Sequence, residues 1–185
     1  VGHHVALAFH RAGHDVTICS RGKTSTYEEE IPGEIARVTA NKSDADDVKR
    51  VLAEGCEVVI DSVPTEASID NIVEHATDVR HYIHCSSTGG YAPLPLVPGD
   101  ETLPYDHFMG GWKLKAVVDE KVMALHAAGR LPATVLRPCY ITGPGLLPLD
   151  NLGGRREDFI PDILAGNPLD LPNDGQALLQ PIHVV

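Results

Sequence analysis

Apolar positions recur along the chain with two spacings, and the two alternate. Val5, Ala6, Ala8 and Phe9 share one helical face, and Gly13 stands where a left-handed C-terminal cap ends that helix. Val16, Thr17, Ile18 and Cys19, within Asp15 to Ser20, form a continuous run instead, the pattern of a short buried strand ending at Ser20-Arg21-Gly22. Lys23 to Pro32 is polar, with Glu28-Glu29-Glu30 as a solvated loop. Ile35 to Val38 is a second strand, leading into Ala40-Asn41-Lys42-Ser43-Asp44. Asp44 caps a helix that carries Val48, Val51 and Leu52 on one face, and Cys56 to Ile60 is an apolar strand ending at Asp61-Ser62. The rhythm continues with a helix around Ala67 to Glu74, a strand at His81 to Cys85, a Pro-rich loop from Ala92 to Pro104 and a helix from Trp112 to Ala128. A strand from Ala133 to Arg137, bounded by Pro132 and Pro138, completes it.

Strands alternating with helices at this spacing predict an α/β fold, a Rossmann-type doubly wound parallel sheet covered on both faces. Residues 1–145 form the expected dinucleotide-binding domain. Beyond Gly145 the Pro- and Gly-rich text, with a short helix at Phe159 to Leu164, drops the rhythm and reads as the start of a small C-terminal substrate-binding region, 146–185. The chain opens at Val1-Gly2 without Met and stops at His183-Val184-Val185 inside a strand-like segment, so it reads as truncated at both ends.

At 185 residues and 43% apolar content, a single core burying roughly 70% of the unfolded surface is expected. The net charge of -11 disfavours a nucleic-acid partner held through phosphates. Cys19, Cys56, Cys85 and Cys139 are widely spaced and read as small buried hydrophobes, not as zinc or redox pairs. Among the ten histidines, His10 and His14 straddle Gly13 and no carboxylate completes a ligand set with His3 and His4, so no metal is expected. No apolar run reaches the roughly 18 residues of a membrane span, and no charged segment precedes an apolar leader, which makes a cytoplasmic protein the expectation.

Two strand ends carry the chemistry. His84-Cys85-Ser86-Ser87-Thr88-Gly89-Gly90-Tyr91 and Arg137-Pro138-Cys139-Tyr140-Ile141-Thr142-Gly143-Pro144-Gly145 both lie where open α/β sheets bind ligands. Together they resemble the extended short-chain dehydrogenase/reductase superfamily, the NAD(P)-dependent epimerases and dehydratases. Atypical members, the chloroplast stem-loop RNA-binding branch among them, look similar over the Ser-Arg-Gly-Lys stretch, the Cys-Ser-Ser strand end and the Arg-Pro-x-Tyr-Ile-x-Gly-Pro run. The resemblance covers nearly the whole chain.

The resemblance implies a cofactor site. Gly2 takes the position of the last Gly of a phosphate-binding turn, Asn41 stands where an acidic residue contacts adenine, and Asp61 and Ser62 fall where the family lines ribose and pyrophosphate. Ser86, Arg137, Pro138 and Tyr140 would flank the nicotinamide. At the strand end that in the family faces the adenosine ribose, Ser20 and Arg21 stand in place of the acidic residue that selects NAD; a guanidinium suits a 2'-phosphate, so NADP is preferred, with NAD as the alternative.

Catalysis in the superfamily resembles a Ser/Thr, Tyr, Lys arrangement. Ser87 takes the Ser role, with Ser86 and Thr88 as neighbours. Spacing from Arg137 brings Lys115 to the Lys position and Asp119 to an acidic residue one turn later, leaving Gly111 where Tyr belongs; using Lys113 leaves Met109 there. Tyr105 precedes Lys113 by too many residues for adjacent helical turns and needs an irregular loop to approach, and His107 is a second stand-in. Trp112 and Phe108 could stack on a ring or pack against the helix.

Two functions follow. The first is an NAD(P)-dependent epimerase, dehydratase or reductase acting on a small hydroxyl-bearing substrate such as a nucleotide sugar, with Ser87, Lys115 or Lys113 and Tyr105 as catalytic candidates. The alternative, motivated by the unfilled Tyr position, is a catalytically silent cofactor-binding protein, a redox sensor or RNA-associated scaffold. Either is compatible with a homo-oligomer, and neither calls for a membrane.

Overall fold

The computed structural model describes residues 1–23, 31–91, 98–106 and 110–184, and for 111 and 112 the backbone alone. His107, Phe108, Met109, the Trp112 ring, the Glu28-Glu29-Glu30 run and much of the 92–104 loop therefore lie outside the described residues.

Helix α1 (Gly2–Arg11) buries Ala6 and Leu7, with Val5 and Phe9 half-buried, while Ala8, expected on that face, points to solvent. Gly13, at φ 88°, turns the chain out of it in the left-handed conformation that a side chain disfavours. Strand β1 (Thr17–Ser20) pairs in parallel with β2 (Ala36–Thr39), Thr17 opposite Ala36. Helix α2 (Ala45–Leu52) starts at Asp44, whose carboxylate accepts the Asp47 N–H at 3.0 Å.

Strand β3 (Val58–Asp61) is followed by α3 (Glu66–His75), which opens with a reciprocal Thr65–Ser68 capping box, and by β4 (His81–Cys85). A one-turn 3-10 helix at Thr88–Tyr91 precedes the long helix α4 (Gly110–Ala127), which leads to β5 (Ala133–Leu136). Strands β3, β4 and β5 form one parallel sheet, with Ile60 opposite Ile83 and His84 opposite Val135. Beyond it β6 (Tyr140–Thr142) pairs in parallel with β7 (Pro181–His183) across the short helix α5 (Phe159–Leu164). Among the described residues, strand hydrogen bonds thus form three all-parallel groups of two, three and two strands.

The core gathers Val48 of α2, Ile69 and Ile72 of α3, Tyr82 of β4, Val118 and Val122 of α4, and Leu131. The helical members recur at helical spacing, so one face each of α2, α3 and α4 packs together around Tyr82 of β4. From Leu146 to Val184, by contrast, Asp150 is the single buried residue.

Two expectations are corrected. The segment around Val16 to Cys19 is not a buried strand: Thr17, Cys19 and Ser20 are exposed and Ile18 is half-buried, because little packs over the β1–β2 pair among the described residues. Nor are the cysteines buried hydrophobes. Cys19 is exposed, and Cys56, Cys85 and Cys139 are half-buried, because these three lie at or beyond strand ends and not in strand centres.

Candidate functional site

The C-terminal ends of β3, β4 and β5 lie side by side, since the strands are parallel and in register. At the end of β3, Ser62 meets the first residue of α1. A Cβ on Gly2 would lie 3.4 Å from Ser62 Oγ, so the helix N-terminus packs directly against the strand end. Asp61, 9% exposed, is occupied by protein donors: Lys42 Nζ at 2.5 Å and the Val63 N–H at 3.1 Å on Oδ1, Ser68 Oγ at 3.0 Å and Tyr82 Oη at 3.5 Å on Oδ2. Burial, then the adjacent Asp61 charge, push the Tyr82 phenol well above its ordinary pKa.

Asn41 belongs to the same rim. Its N–H donates to Asp47 at 2.8 Å, and its Oδ1 accepts from the Ser43 N–H at 3.2 Å. With Oδ1 accepting there, Nδ2 is the donor of the exposed Asn41 side chain. The Asn41 N–H and then Arg50 hold the carboxyl of half-buried Asp47 below its ordinary range, outweighing the opposing effect of burial.

At the ends of β4 and β5 the backbone ladder runs on past the strands. The Ser86 N–H donates to Leu136 O at 2.8 Å and the Thr88 N–H to Pro138 O at 3.2 Å, so Ser86, Ser87 and Pro138 are held together. Ser87 Oγ accepts the Gly89 N–H at 3.1 Å, which folds the chain into the 3-10 turn. Lys115 lies on α4 one helical turn before Asp119, whose carboxylate meets His84 of β4 and Arg137 after β5; burial raises the pKa of the Cys85 thiol, and the Lys115 charge acts against that shift.

Below this rim lies a closed polar cluster. Asp119 of α4 is fully buried; His84 Nε2 donates to its Oδ1 at 2.8 Å, and Arg137 Nε and Tyr105 Oη reach its Oδ2 at 2.8 and 3.1 Å. Arg137 Nη2 also donates to Tyr105 Oη. Its guanidinium carbon sits 5.2 and 5.5 Å from the Tyr105 and Tyr91 ring centres, and those two rings stack at 5.0 Å with planes 5° apart. Burial works to raise the Asp119 pKa, but His84, Ser86 and Arg137 outweigh it and hold the carboxyl below its ordinary range. The Ser86 hydroxyl contributes by proximity without closing a hydrogen bond. Burial, and then the Asp119 charge, push the Tyr105 phenol up instead.

With this geometry in hand, the model of the NAD dependent epimerase/dehydratase family matches residues 67–185. The chain belongs to this family. The chloroplast stem-loop binding protein of 41 kDa b from Arabidopsis thaliana is 30% identical over 190 residues, 94% of this chain and 47% of that protein. The chain thus spans about half the length of the curated relative it matches. Among solved structures, UDP-glucose 4-epimerase from Thermotoga maritima is similar with a TM-score of 0.76 at 16% identity, over 99% of this chain and 66% of that one. A dTDP-glucose 4,6-dehydratase from Streptomyces venezuelae, with NAD and TYD bound, is similar at 0.73 and 16%, over 98% and 64%. The fold is therefore the Rossmann-type fold of the epimerases and dehydratases.

In this member of the family, sequence-derived candidates separate into groups. Gly2, Asp61 and Ser62 gather at the end of β3, with Asn41 on the loop that Lys42 ties to it; Ser86, Ser87, Pro138 and Lys115 gather at the ends of β4 and β5. Arg137 faces inward to Asp119 and not to the rim, and Tyr105 joins it there. Ser20 and Arg21 stand on the β1 end; Ser20 Oγ accepts the Gly22 N–H at 3.3 Å and Arg21 is exposed. Lys113 is exposed on α4. Tyr140 is not at the β5 end: it opens β6, with its hydroxyl over Gly153, where a Cβ would come within 3.1 Å. Sequence reasoning missed His84 and Lys42. For His84 a signal existed, since Tyr82, His84 and Ser86 alternate at the strand period and all three are buried. Among the described residues no cluster of three His, Cys, Asp or Glu could hold a metal.

Proposed function

We propose that the chain forms the cofactor-binding part of an NADP-preferring epimerase, dehydratase or reductase acting on a small hydroxyl-bearing substrate such as a nucleotide sugar. The observation that carries this reading is the convergence, on one sheet edge, of the Gly2–Ser62 approach with Ser86, Ser87 and Lys115. The site suits a dinucleotide: the α1 N-terminus, the positive end of the helix dipole, lies beside Ser62 at the β3 end, where a pyrophosphate would be favoured. When bound, the nicotinamide supplies a hydride donor and acceptor. Ser87 orients the reacting oxygen, Lys115 holds the ribose beside the β4 end, and Asn41 Nδ2 donates to the adenine ring. Exposed Arg21 meets the 2'-phosphate. Residues 1–145 carry these groups, and 146–184, with its exposed apolar side chains, begins the substrate-binding region.

Tyr105 is better assigned as a strut than as a proton donor. Its hydroxyl is engaged by Asp119 and Arg137, and its pKa moves away from neutrality, the opposite of what an acid–base group needs. That observation favours, as a second reading, a member of the family that binds cofactor without turnover. Calorimetric titration of the full-length protein with NADP and NAD tests the first step: NADP should bind more tightly, and Arg21→Ala should erase the difference. Tighter NAD binding refutes the NADP assignment. Ser87→Ala should lower nucleotide-sugar-dependent change in nicotinamide absorbance; equal turnover removes Ser87 from the chemistry, and no turnover in the parent, despite cofactor binding, selects the second reading.

A further inference from the structure

Asp61 presents a carboxylate at the strand edge where the cofactor reading places an anionic pyrophosphate, and its oxygens are all taken by protein donors. Such a group needs a counter-charge and hydrogen bonds to remain ionised while largely buried. Lys42 supplies the charge from a different element: its Nζ lies 2.5 Å from Asp61 Oδ1, and it also donates to the Val63 carbonyl. The Lys42 backbone is clamped as well, since Asn71 Nδ2 of α3, itself 9% exposed, donates to the Lys42 carbonyl at 3.1 Å. One residue thus joins the β2–α2 loop to the ends of β3 and α3.

The residue beside it is Asn41, whose side chain is locked by Ser43 and whose N–H is held by Asp47. From this we infer that Lys42 is a positioning residue for the adenosine half of the dinucleotide, holding the Asn41 amide at the rim and cancelling the Asp61 charge that would repel the pyrophosphate. The inference rests on the cofactor reading above. It also gives Asp61 a different task from the ribose contact expected of it: Asp61 is the anchor and Asn41 the contact.

The test uses the full-length protein in calorimetric titrations with NADP, with ADP-ribose for the adenosine half and with nicotinamide mononucleotide for the other half. Lys42→Met should weaken NADP and ADP-ribose by about tenfold or more, the scale of a lost charge-assisted hydrogen bond, and leave nicotinamide mononucleotide unchanged. Asn71→Ala, which removes only the clamp on the carbonyl, should move the same two ligands in the same direction by a smaller factor. It decides the matter alone if Lys42→Met fails to fold. Unchanged ADP-ribose binding by the folded variants overturns the inference, and so does an equal loss for both halves, which a general loosening of the fold would cause. A parent protein that binds neither NADP nor NAD overturns the cofactor reading first, and the inference with it.

Discussion

Asp119→Asn isolates the buried cluster. The substitution keeps shape and removes charge, leaving the Arg137 side chain, 12% exposed, without the carboxylate that its Nε meets at 2.8 Å. Removing one partner of a buried ion pair costs about 3–5 kcal/mol, because the remaining charge stays desolvated. The low end applies here: an amide oxygen can still accept from Arg137 Nε, and the contacts of the guanidinium with the Tyr91 and Tyr105 rings survive. A loss of about 3 kcal/mol corresponds to a fall of about 6–12 °C in melting temperature for a domain of this size.

Urea unfolding of parent and variant, followed by circular dichroism at pH 7 and then at successively lower pH, checks both size and cause. The Asp119 pKa is lowered by folding, so its ionisation stabilises the native state above the unfolded-state pKa of about 3.9, and that contribution is lost as pH falls through the folded value. The Asn variant lacks it at every pH. The gap between the two proteins should therefore be constant from neutrality down to about pH 5 and then narrow on further acidification. A loss below about 1 kcal/mol at pH 7 would place Asp119 among ordinary exposed charges and refute the reading, as would a gap that does not narrow in acid.

Tyr105→Phe removes the hydroxyl shared by Asp119 and Arg137 and should cost about 1 kcal/mol at pH 7. Folding raises the Tyr105 pKa, so the parent should lose stability above about pH 10, where the unfolded phenol ionises first, and the variant should lose less; equal alkaline limbs would contradict this. Gly143→Ala attacks the β6–β7 pair. Gly143 has φ 131°, and a Cβ there would lie 2.6 Å from Val184 Cγ1 and 3.2 Å from His183 Nε2. Hydrogen exchange at the Tyr140 and Val184 amides, which bond across that pair, should accelerate while the Tyr82 and Ser86 amides of the central sheet stay protected. Unchanged exchange at Tyr140 and Val184 would show that the strain is absorbed elsewhere.

The central sheet and its helices were legible because period decides them. His81–Cys85 and Phe159–Leu164 fall where the apolar pattern puts them, and Asp44 caps α2 as a short polar side chain before an amphipathic run should. Burial was less legible. A run such as Val16 to Cys19 looks the same whether both faces are covered or neither, and the covering layer is a tertiary fact. The site divided in the same way. The places of Ser62, Ser86 and Ser87 followed from the strand ends they sit on, whereas Gly2 and Lys115 were reached only through the spacing of the resembled family. The inward turn of Arg137 was not, since it depends on a carboxylate that the helical repeat brings over the sheet from 18 residues away. Lys42 was invisible for a similar reason: its partner Asp61 ends a different strand, 19 residues on, and carries no local signature.

That helical repeat also bears on the unfilled proton donor. Positions 111, 115 and 119 are spaced by four on α4 and share a face. Asp119 points into the cluster, and Lys115 stands one turn earlier, its charge acting on the Cys85 thiol. Position 111 is one turn earlier again, and it holds Gly. Tyr105 cannot slide into that role while Asp119 and Arg137 hold its hydroxyl, so the group that fixes the strand end is also the group that withholds the phenol. Gly111→Tyr would place a phenol one turn before Lys115, and with a nucleotide sugar and NADP it should raise turnover at least about 10²-fold over the parent, the low end for a positioned general acid. A Gly111→Tyr variant that binds NADP as the parent does, yet turns over no faster, would refute the idea that a phenol on this helical face is what the site lacks.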